Sequence, residues 1–600
     1  RNLPNKVICE KNGVKIDCIF FNSYEGYIRK LLPLNEDIII NGKANNFRNK
    51  FQFVNPKLVN SNNSVLIDDE NKYSLTEGLT LNKYNKIINN IFQNLPDLDE
   101  WLPKEISNLF DNVSWKECVI KIHKEEITKV KDTKYFRRLV FDEIFANFLL
   151  SSDIRSKIKK IKKKNKIINY QYQSKIIDSL KFKLTIDQIS SLKSINKDIG
   201  SKQKMFRLLQ GDVGSGKTIL AILAASIAVS NNSQVAIMAP TEILSNQHYK
   251  SFKKLADLGK MSCAQLIGGM PNKDRKKIIS GLESGKIDII VGTHALIQKD
   301  VIFNSLGLVI VDEQHRFGVN QRISLAQKGV NPHSLTMTAT PIPRTLAITY
   351  HGDMDLSIID ELPKDRIPIT TKTVNKDRLE KIYSFMIDEM NSGRQCIIVY
   401  PLVQESEKSD LTAAIEMYNN LSKNIFKKMK VGLLHGKLEK DEKDEIMKDF
   451  SNNKINLLIS TTVIEVGIDV PNATVMLIEH AERFGLTQLH QLRGRVGRGN
   501  KKSYCILVQR KQTENSKKRL QIMESTNDGF VISDEDLKLR GPGEFFGIKQ
   551  SGFFNFKIAN IVSDGNLINQ VRNAVFEEFN FNLATLQSRN KIVYEELMYL

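Results

Sequence analysis

The chain has 600 residues and a formal net charge of +20, with an isoelectric point near 9.4, and its length suits about three to five domains of roughly 150 residues each. That charge points to a polyanionic partner, nucleic acid before membrane, although a Lys- and Asn-rich composition produces the same balance by itself. The six cysteines (Cys9, Cys18, Cys118, Cys263, Cys396, Cys505) are scattered with no CxxC pair, which excludes a disulfide framework and a cysteine zinc site and suits a reducing cytoplasm.

The first 60 residues read as short strands: KVICE, VKIDCIFF, EDIIING and KFQFVN, separated by Asn12-Gly13 and Asn41-Gly42. This is the pattern of part of a small antiparallel barrel. Residues 80 to 166 turn helical and charged, ending in the basic run KIKKIKKKNK (157 to 166). Such a run is either a phosphate contact or, more simply, a solvated helix face.

From about residue 180 apolar strands alternate with amphipathic helices. One series comprises FRLLQ, QVAIMAP, IDIIVGT, LGLVIVDE and SLTMTAT, and a second QCIIVYPLV, VGLLHG, NLLISTT, ATVMLIEH and SYCILV. Alternation of this kind means parallel sheets covered by helices, and two series mean two α/β domains. The segment 360 to 371, with two prolines, is the expected hinge. No sequence repeat is read between the two. After residue 512 the pattern is helical again, then loops through LRGPGEFFG. The longest apolar run stops after about a dozen residues, short of the roughly 20 of a membrane span. No signal peptide opens the chain. It begins with Arg1 and is read as a piece lacking its natural N-terminus.

The motif GDVGSGKT (211 to 218) fits the phosphate-loop pattern GxxxxGK[ST], between a strand and the apolar run ILAILAASIAV. Glycines let backbone N–H groups curl around phosphates at a helix N-terminus. Gly211, Asp212, Gly214, Ser215 and Gly216 form the cradle, Lys217 reaches the β- and γ-phosphates, and Thr218 places a hydroxyl on Mg²⁺. In VIVDEQHRFG (309 to 318), Asp312 sits where a carboxylate holds Mg²⁺ through water and Glu313 where one orients the attacking water. In QLHQLRGRVGRG (488 to 499), Arg495 and Arg498 stand one helical turn apart, placed to stabilise a γ-phosphate in transfer.

GDVGSGKT, DEQH, TATPIPRT and QLRGRVGR, in this order, resemble motifs I, II, III and VI of superfamily 2 helicases. Phe182, Thr185 and Gln188 resemble the adenine-reading segment, MAPTEILSNQH resembles motif Ia, VGTHAL the later strand-contacting motif, and STTVIEVGIDVPNA motif V. MAPTEIL, DEQHRFGV, TATPIPRTLA, GDMDLSIIDELP and LRGPGEFFGIKQSG together resemble the RecG family of bacterial branched-DNA translocases, over nearly the whole chain. Two family features depart: the usual HPE reads Asn55-Pro56-Lys57, and the hinge's Pro-x-Gly-Arg reads Pro363-Lys364-Asp365-Arg366.

The resemblance implies a multidomain α/β fold: two RecA-like parallel-sheet motor domains, preceded by a partial OB-type wedge barrel and followed by a helical hairpin region. The expected divisions are 1–105 (wedge), 106–178 (helical linker), 179–365 and 366–511 (motor domains) and 512–600 (hairpin, loop and C-terminal helices). It implies ATP and Mg²⁺, with Gln188 and Asp469 added to the nucleotide set. It implies DNA contacts at Phe20, Phe21, Tyr24, Thr241, Thr293, His294, Thr461 and Thr462, and coupling through Gln491, Arg519, Arg540 and Gln550. The implied partner is branched double-stranded DNA, with a single-strand DNA-binding protein as an expected protein partner, for a monomer in the bacterial cytoplasm. The transcription-repair coupling factor shares DEQHRFG, but no polymerase-binding module is read here. An ATP-switched binder would lack catalytic residues that this chain keeps. RNA helicases of the superfamily usually carry DEAD or DEAH in place of DEQH.

Overall fold

The computed structural model describes residues 4–21, 23–47, 50–59, 76, 78–124, 130–159, 168–340, 343, 346–347, 354–361, 363, 366–401, 407–461, 470–540 and 556–575. It divides into two compact units, residues 1–98 with 116–131, and residues 99–115 with 132–600. Most of the helix Trp115–Lys124 therefore goes with the first unit, where the sequence reading places it in the linker.

The first unit is built on a four-stranded sheet of order β1-β2-β4-β3. Strands β1 (Asn5–Lys11) and β2 (Val14–Phe20) form a hairpin in which Asn12 (φ 50°) and Gly13 (φ 77°) supply the left-handed pair that a tight two-residue turn demands. Strands β3 (Ile39–Phe47) and β4 (Lys50–Val59) pair antiparallel, but β2 and β4 run parallel. The sheet is thus mixed rather than wholly antiparallel. Asn41-Gly42, expected as a turn, lies inside β3 at a shift of register between Asn41 and Lys43. A glycine inside a strand marks a bulge more often than a chain reversal.

The second unit holds two all-parallel sheets. The first has order β11-β5-β10-β9-β6-β8-β7, with β5 Phe206–Gly211, β6 Gln234–Met238, β7 Cys263–Leu266, β8 Ile289–Gly292, β9 Leu306–Asp312, β10 His333–Thr338 and β11 Asp355–Ile359. The second has order β12-β17-β16-β13-β15-β14, with β12 Thr370–Asn375, β13 Gln395–Val399, β14 Val431–Leu434, β15 Leu457–Ser460, β16 Ala473–Ile478 and β17 Tyr504–Gln509. Strands β7, β11 and β12 are absent from the sequence reading. All three are edge or near-edge strands with half-polar patterns, the kind that apolar runs do not reveal.

The helix Lys217–Ser230 is apolar all round because every side is covered: Leu220 to Val229 are buried in one core with strands β5, β6 and β9 and neighbouring helices. A further core joins the helix Lys134–Lys159 to the helix Gly565–Asn573 and to Leu537. At its edge Arg138 is fully buried, donating to Glu100, Asp142 and the Val113 carbonyl.

The two parallel sheets share a detail. After β9, Glu313 turns at φ 50° into the short helix Gln314–Arg316; after β16, His480 turns at φ 50° into Ala481–Arg483. Arg-Phe-Gly closes both turns, at 316–318 and 483–485. The two turns match in shape and in these three residues, a likeness of fold too short to be a sequence repeat.

Candidate active site

Strand β5 delivers the phosphate loop, and the loop's shape follows from its glycines. Gly214 and Gly216 adopt φ 80° and 89°, a region that side chains disfavour. A Cβ at Gly211 would fall 2.5 Å from Ser215 Oγ, and one at Gly214 2.7 Å from Arg366 Nη1. Lys217 is buried and folds back on the loop, its Nζ donating to the carbonyls of Gly211 (2.7 Å) and Asp212 (2.9 Å). Burial pushes the ammonium's pKa down, against the pull of Glu313, Asp312 and Asp212. Gln188 braces the loop: its Oε1 accepts from the Thr185 amide and its Nε2 donates to the Ser215 carbonyl (2.8 Å). Both amide atoms are thus engaged by the protein. Phe182, from the same segment, is half exposed.

Strand β9 delivers the carboxylates. Asp312 Oδ2 lies 2.7 Å from Nε2 of His248, a buried residue of the helix Glu242–Leu258. Burial alone would raise the Asp312 pKa; His248, Lys217 and the Glu313 amide outweigh it and hold this carboxyl below the usual range. Glu313 goes the other way. Burial and the charge of Asp312 push it up to about 7, where a general base is effective near neutral pH. Two adjacent carboxyls are therefore split into one firmly ionised and one poised to exchange a proton.

The second sheet closes the site. The helix Leu486–Arg493 stops at Gly494, and Gly497 (φ 72°) turns the chain beyond it. Arg495 and Arg498 accordingly leave from this turn, not from one helix face as the spacing suggests. They nonetheless converge: a cavity of about 270 Å³ is lined by Lys217, Thr218, Asp312 and Glu313 from the first sheet and by Gln491, Arg495 and Arg498 from the second. A larger cavity of about 480 Å³ lies at the amino-terminal ends of the first sheet's strands, around Ser201, Ser305 and His333, and no carboxylate lines it. Volume alone does not mark a catalytic site.

Two contacts across this interface, and one within the helix Leu486–Arg493 that backs it, escape the sequence reading. Asp212 Oδ1 lies 2.6 Å from His490 Nε2. Arg366, from the expected hinge, donates to the Val213 carbonyl. Arg493, 2% exposed, approaches His490 Nδ1 at 3.0 Å. The spacing of His490 and Arg493, three apart on a helix, is the one signal that pointed to a shared face.

The coupling candidates split. Arg519 donates to the carbonyls of Phe484 (3.0 Å) and Glu482 (2.9 Å), in the turn that leads into the helix Leu486–Arg493. Arg540 pairs with Asp536 (2.8 Å) and packs against Gly485. Asp536 also accepts from Thr487 (3.0 Å). Gln550 lies outside the described residues, as do Thr462, Asp469 and most of the basic run 157–166.

The DNA-contact candidates divide by exposure. Phe21 and Tyr24 are 50% and 76% exposed. Phe20 is not available: it is 2% exposed and sits in the core of the first sheet with Cys18 and Ile28, because strand alternation sends neighbours to opposite faces. Thr293 and Thr461, at 2% and 0%, directly follow strands β8 and β15, and both hydroxyl oxygens are buried. Thr241 is half-buried and caps its helix by accepting from the Leu244 amide, and His294 is exposed.

Three family models match in order. They are the DEAD/DEAH box helicase over residues 185–348, the helicase conserved C-terminal domain over 377–500, and domain 3, C-terminal, of the ATP-dependent DNA helicase RecG over 526–600. The ATP-dependent DNA helicase RecG of Staphylococcus aureus (strain NCTC 8325 / PS 47) is 42% identical over 579 residues, covering 94% of this chain and 82% of the relative. This chain belongs to the RecG family. The RecG of Bacillus subtilis (strain 168) is 43% identical over 562 residues, covering 93% of this chain and 81% of its own. A solved structure of RecG bound to a three-way DNA junction is 37% identical, with a TM-score of 0.66, and covers 94% of this chain and 75% of its own. The cleft between the two sheets thus belongs to a chain of a family of ATP-dependent DNA helicases.

Proposed function

We propose that the chain couples ATP hydrolysis to translocation on duplex DNA and so unwinds and remodels branched DNA, such as stalled forks and Holliday junctions. The observation that carries this reading is the single cavity that gathers Lys217, Asp312 and Glu313 with Arg495 and Arg498 from a second domain. A site shared by two domains links hydrolysis to their relative movement. The substrate class follows the relative whose solved structure holds a three-way junction.

The residues present fit a magnesium ion with the nucleotide. Asp312 is held ionised, and the Thr218 hydroxyl lines the same cavity; hard oxygens completed by substrate phosphates suit Mg²⁺. Bound there, the ion would neutralise charge on the β- and γ-phosphates. Lys217 leaves its loop carbonyls for the phosphates, Glu313 takes a proton from the attacking water, and Arg498 and Arg495 oppose charge developing on the transferred group. Asp469, Thr462 and Gln550 keep the nucleotide, DNA and coupling roles that the family resemblance gives them.

We assign fork recognition to residues 1–105, spacing to 106–178, motor function to 179–365 and 366–511, and coupling to 512–600. No helix among the described residues is long and apolar enough to cross a membrane. A monomer in the bacterial cytoplasm, meeting a single-strand DNA-binding protein at forks, completes the reading. ATPase rates on forked, linear duplex and single-stranded DNA test it. Stimulation should rank forked first and single-stranded last, and the reverse order overturns the proposal.

A further inference from the structure

We propose that His490 is a positioning residue that carries the state of the phosphate loop to the turn of the C-terminal helical pair. The inference rests on the reading of the cleft as the ATP site and goes beyond it, because His490 lines no part of that cavity.

The contacts form one continuous chain. At one end Asp212, inside the phosphate loop, lies 2.6 Å from His490 Nε2. At the other side of the ring, Arg493 Nη2 lies 3.0 Å from Nδ1. A guanidinium only donates, so Nδ1 accepts, and the neutral ring carries its proton on Nε2 and gives it to Asp212. Arg493 extends the chain through Nη1 to the carbonyls of Met523 (2.9 Å) and Thr526 (2.8 Å). Those carbonyls belong to the last turn of the helix Glu514–Ser525 and to Thr526, which leads to the helix Gly529–Arg540. The junction of these two helices also returns to the pair directly. A Cβ on Gly529 would lie 2.6 Å from His490 Nε2 and 3.0 Å from Asp212 Cγ. Only a glycine lets this helix start that close.

The loop end of the chain has two arrangements. Here Lys217 clasps the carbonyls of Gly211 and Asp212. Phosphates draw the ammonium away, which frees the backbone on both sides of the Asp212 Cα. Asp212 is tied to His490, so that rearrangement reaches Arg493 and the helical junction without crossing solvent. Arg519 and Arg540 grip the far end of the same helix, near Gly485. The helix Leu486–Arg493 is thereby held at both ends, by the hairpin at one and by hairpin plus phosphate loop at the other.

Side-chain shape separates the two ring contacts. His490→Asn keeps an acceptor for Arg493 but cannot reach Asp212. His490→Gln keeps an N–H within reach of Asp212. Gly529→Ala drives a methyl group into the pair from the hairpin side. In the full chain, ATPase with and without linear duplex DNA and the melting temperature are measured for each. His490→Asn and Gly529→Ala should lose about tenfold of the DNA stimulation, beyond any fall in the DNA-free rate or the melting temperature, and His490→Gln should retain most of it. Unaltered stimulation in His490→Asn overturns the proposal. So does an equal fall of DNA-free and DNA-bound rates, or a loss in all three variants that tracks the melting temperature. Fork preference of the unaltered chain is read separately: if forked DNA stimulates no better than linear duplex, the substrate reading fails while the linear-duplex comparison still decides the role of His490.

Discussion

At the scale of single residues, the proposed ATP site splits like groups apart. Asp312 and Glu313 are neighbours, yet His248 holds one ionised while burial lifts the other to about 7. In the proposed mechanism that difference gives them separate tasks, ion ligand and base. Lys217→Ala should abolish hydrolysis and leave DNA affinity nearly intact, since the ammonium meets phosphates and not DNA; filter binding alongside ATPase assays checks this. Glu313→Gln should bind ATP and hold it unhydrolysed, visible as nucleotide retained on the protein. Arg498→Ala should slow turnover by about 10³-fold or more if it stabilises the transferred phosphoryl group. A normal rate in Arg498→Ala breaks the picture of a site shared between two domains. The phosphate loop and the Asp-Glu pair were legible in the sequence because their chemistry fixes local spacing. His248 and His490 were not, because each meets its partner only after segments 64 and 278 residues apart in sequence are brought together.

At the scale of elements, apolar runs announced the central strands of both parallel sheets, each buried on two faces. The edge strand β12 went unread because half of it faces solvent and its sequence, TTKTVN, looks like the hinge it follows. The placement of Arg495 and Arg498 on a helix failed for a different reason: the helix ends at Gly494, before either residue, and Gly497 turns the chain between them. Arg138 shows an element-level dependence that no motif signals. It is wholly buried and holds Glu100 and Asp142 at the junction of the helix Lys134–Lys159 with the segment before it. Arg138→Ala leaves two carboxylates facing each other without a cation, so it should cost about 3 to 5 kcal/mol, read as a lower melting temperature with residual ATPase at low temperature. The hairpin gives the complementary case. Arg519 bonds to backbone carbonyls of the turn before Leu486, while Arg540 binds Asp536 on its own helix and reaches that turn by packing on Gly485. Arg540→Ala should therefore keep most DNA-stimulated ATPase and lose unwinding; a parallel loss of both, with lowered thermal stability, would make the pair with Asp536 its whole role.

At the scale of the whole molecule, a net charge of +20 sets how the protein meets DNA but not which DNA it prefers. Phosphate contacts release counterions, so log K should fall with log salt by about 0.9 per phosphate neutralised; an affinity flat across the salt range would remove charge as its basis. Preference for a branch needs contacts that plain duplex does not offer, and exposed aromatic rings are the groups that stack on unpaired bases. Phe20 is spent on the core, and its burial is what turns Phe21 to the opposite face. The Phe21 amide is fixed by a 2.9 Å bond to Asn55 Oδ1, and Asn55 holds φ 46°, a conformation that asparagine tolerates better than most residues. The strand end is thus braced while its ring remains half in solvent. This links the departure from the family's HPE at residues 55 to 57 with the presentation of Phe21. Removing an exposed ring costs little folding energy, whereas losing one stacked base costs about 1 to 3 kcal/mol. Phe21→Ala should accordingly fold normally and bind linear duplex with unchanged affinity, while its affinity for forked DNA drops by about tenfold or more. Titrations of both DNAs at one salt concentration separate the outcomes. An equal loss on fork and duplex would mean that Phe21 serves the sheet and not the branch point.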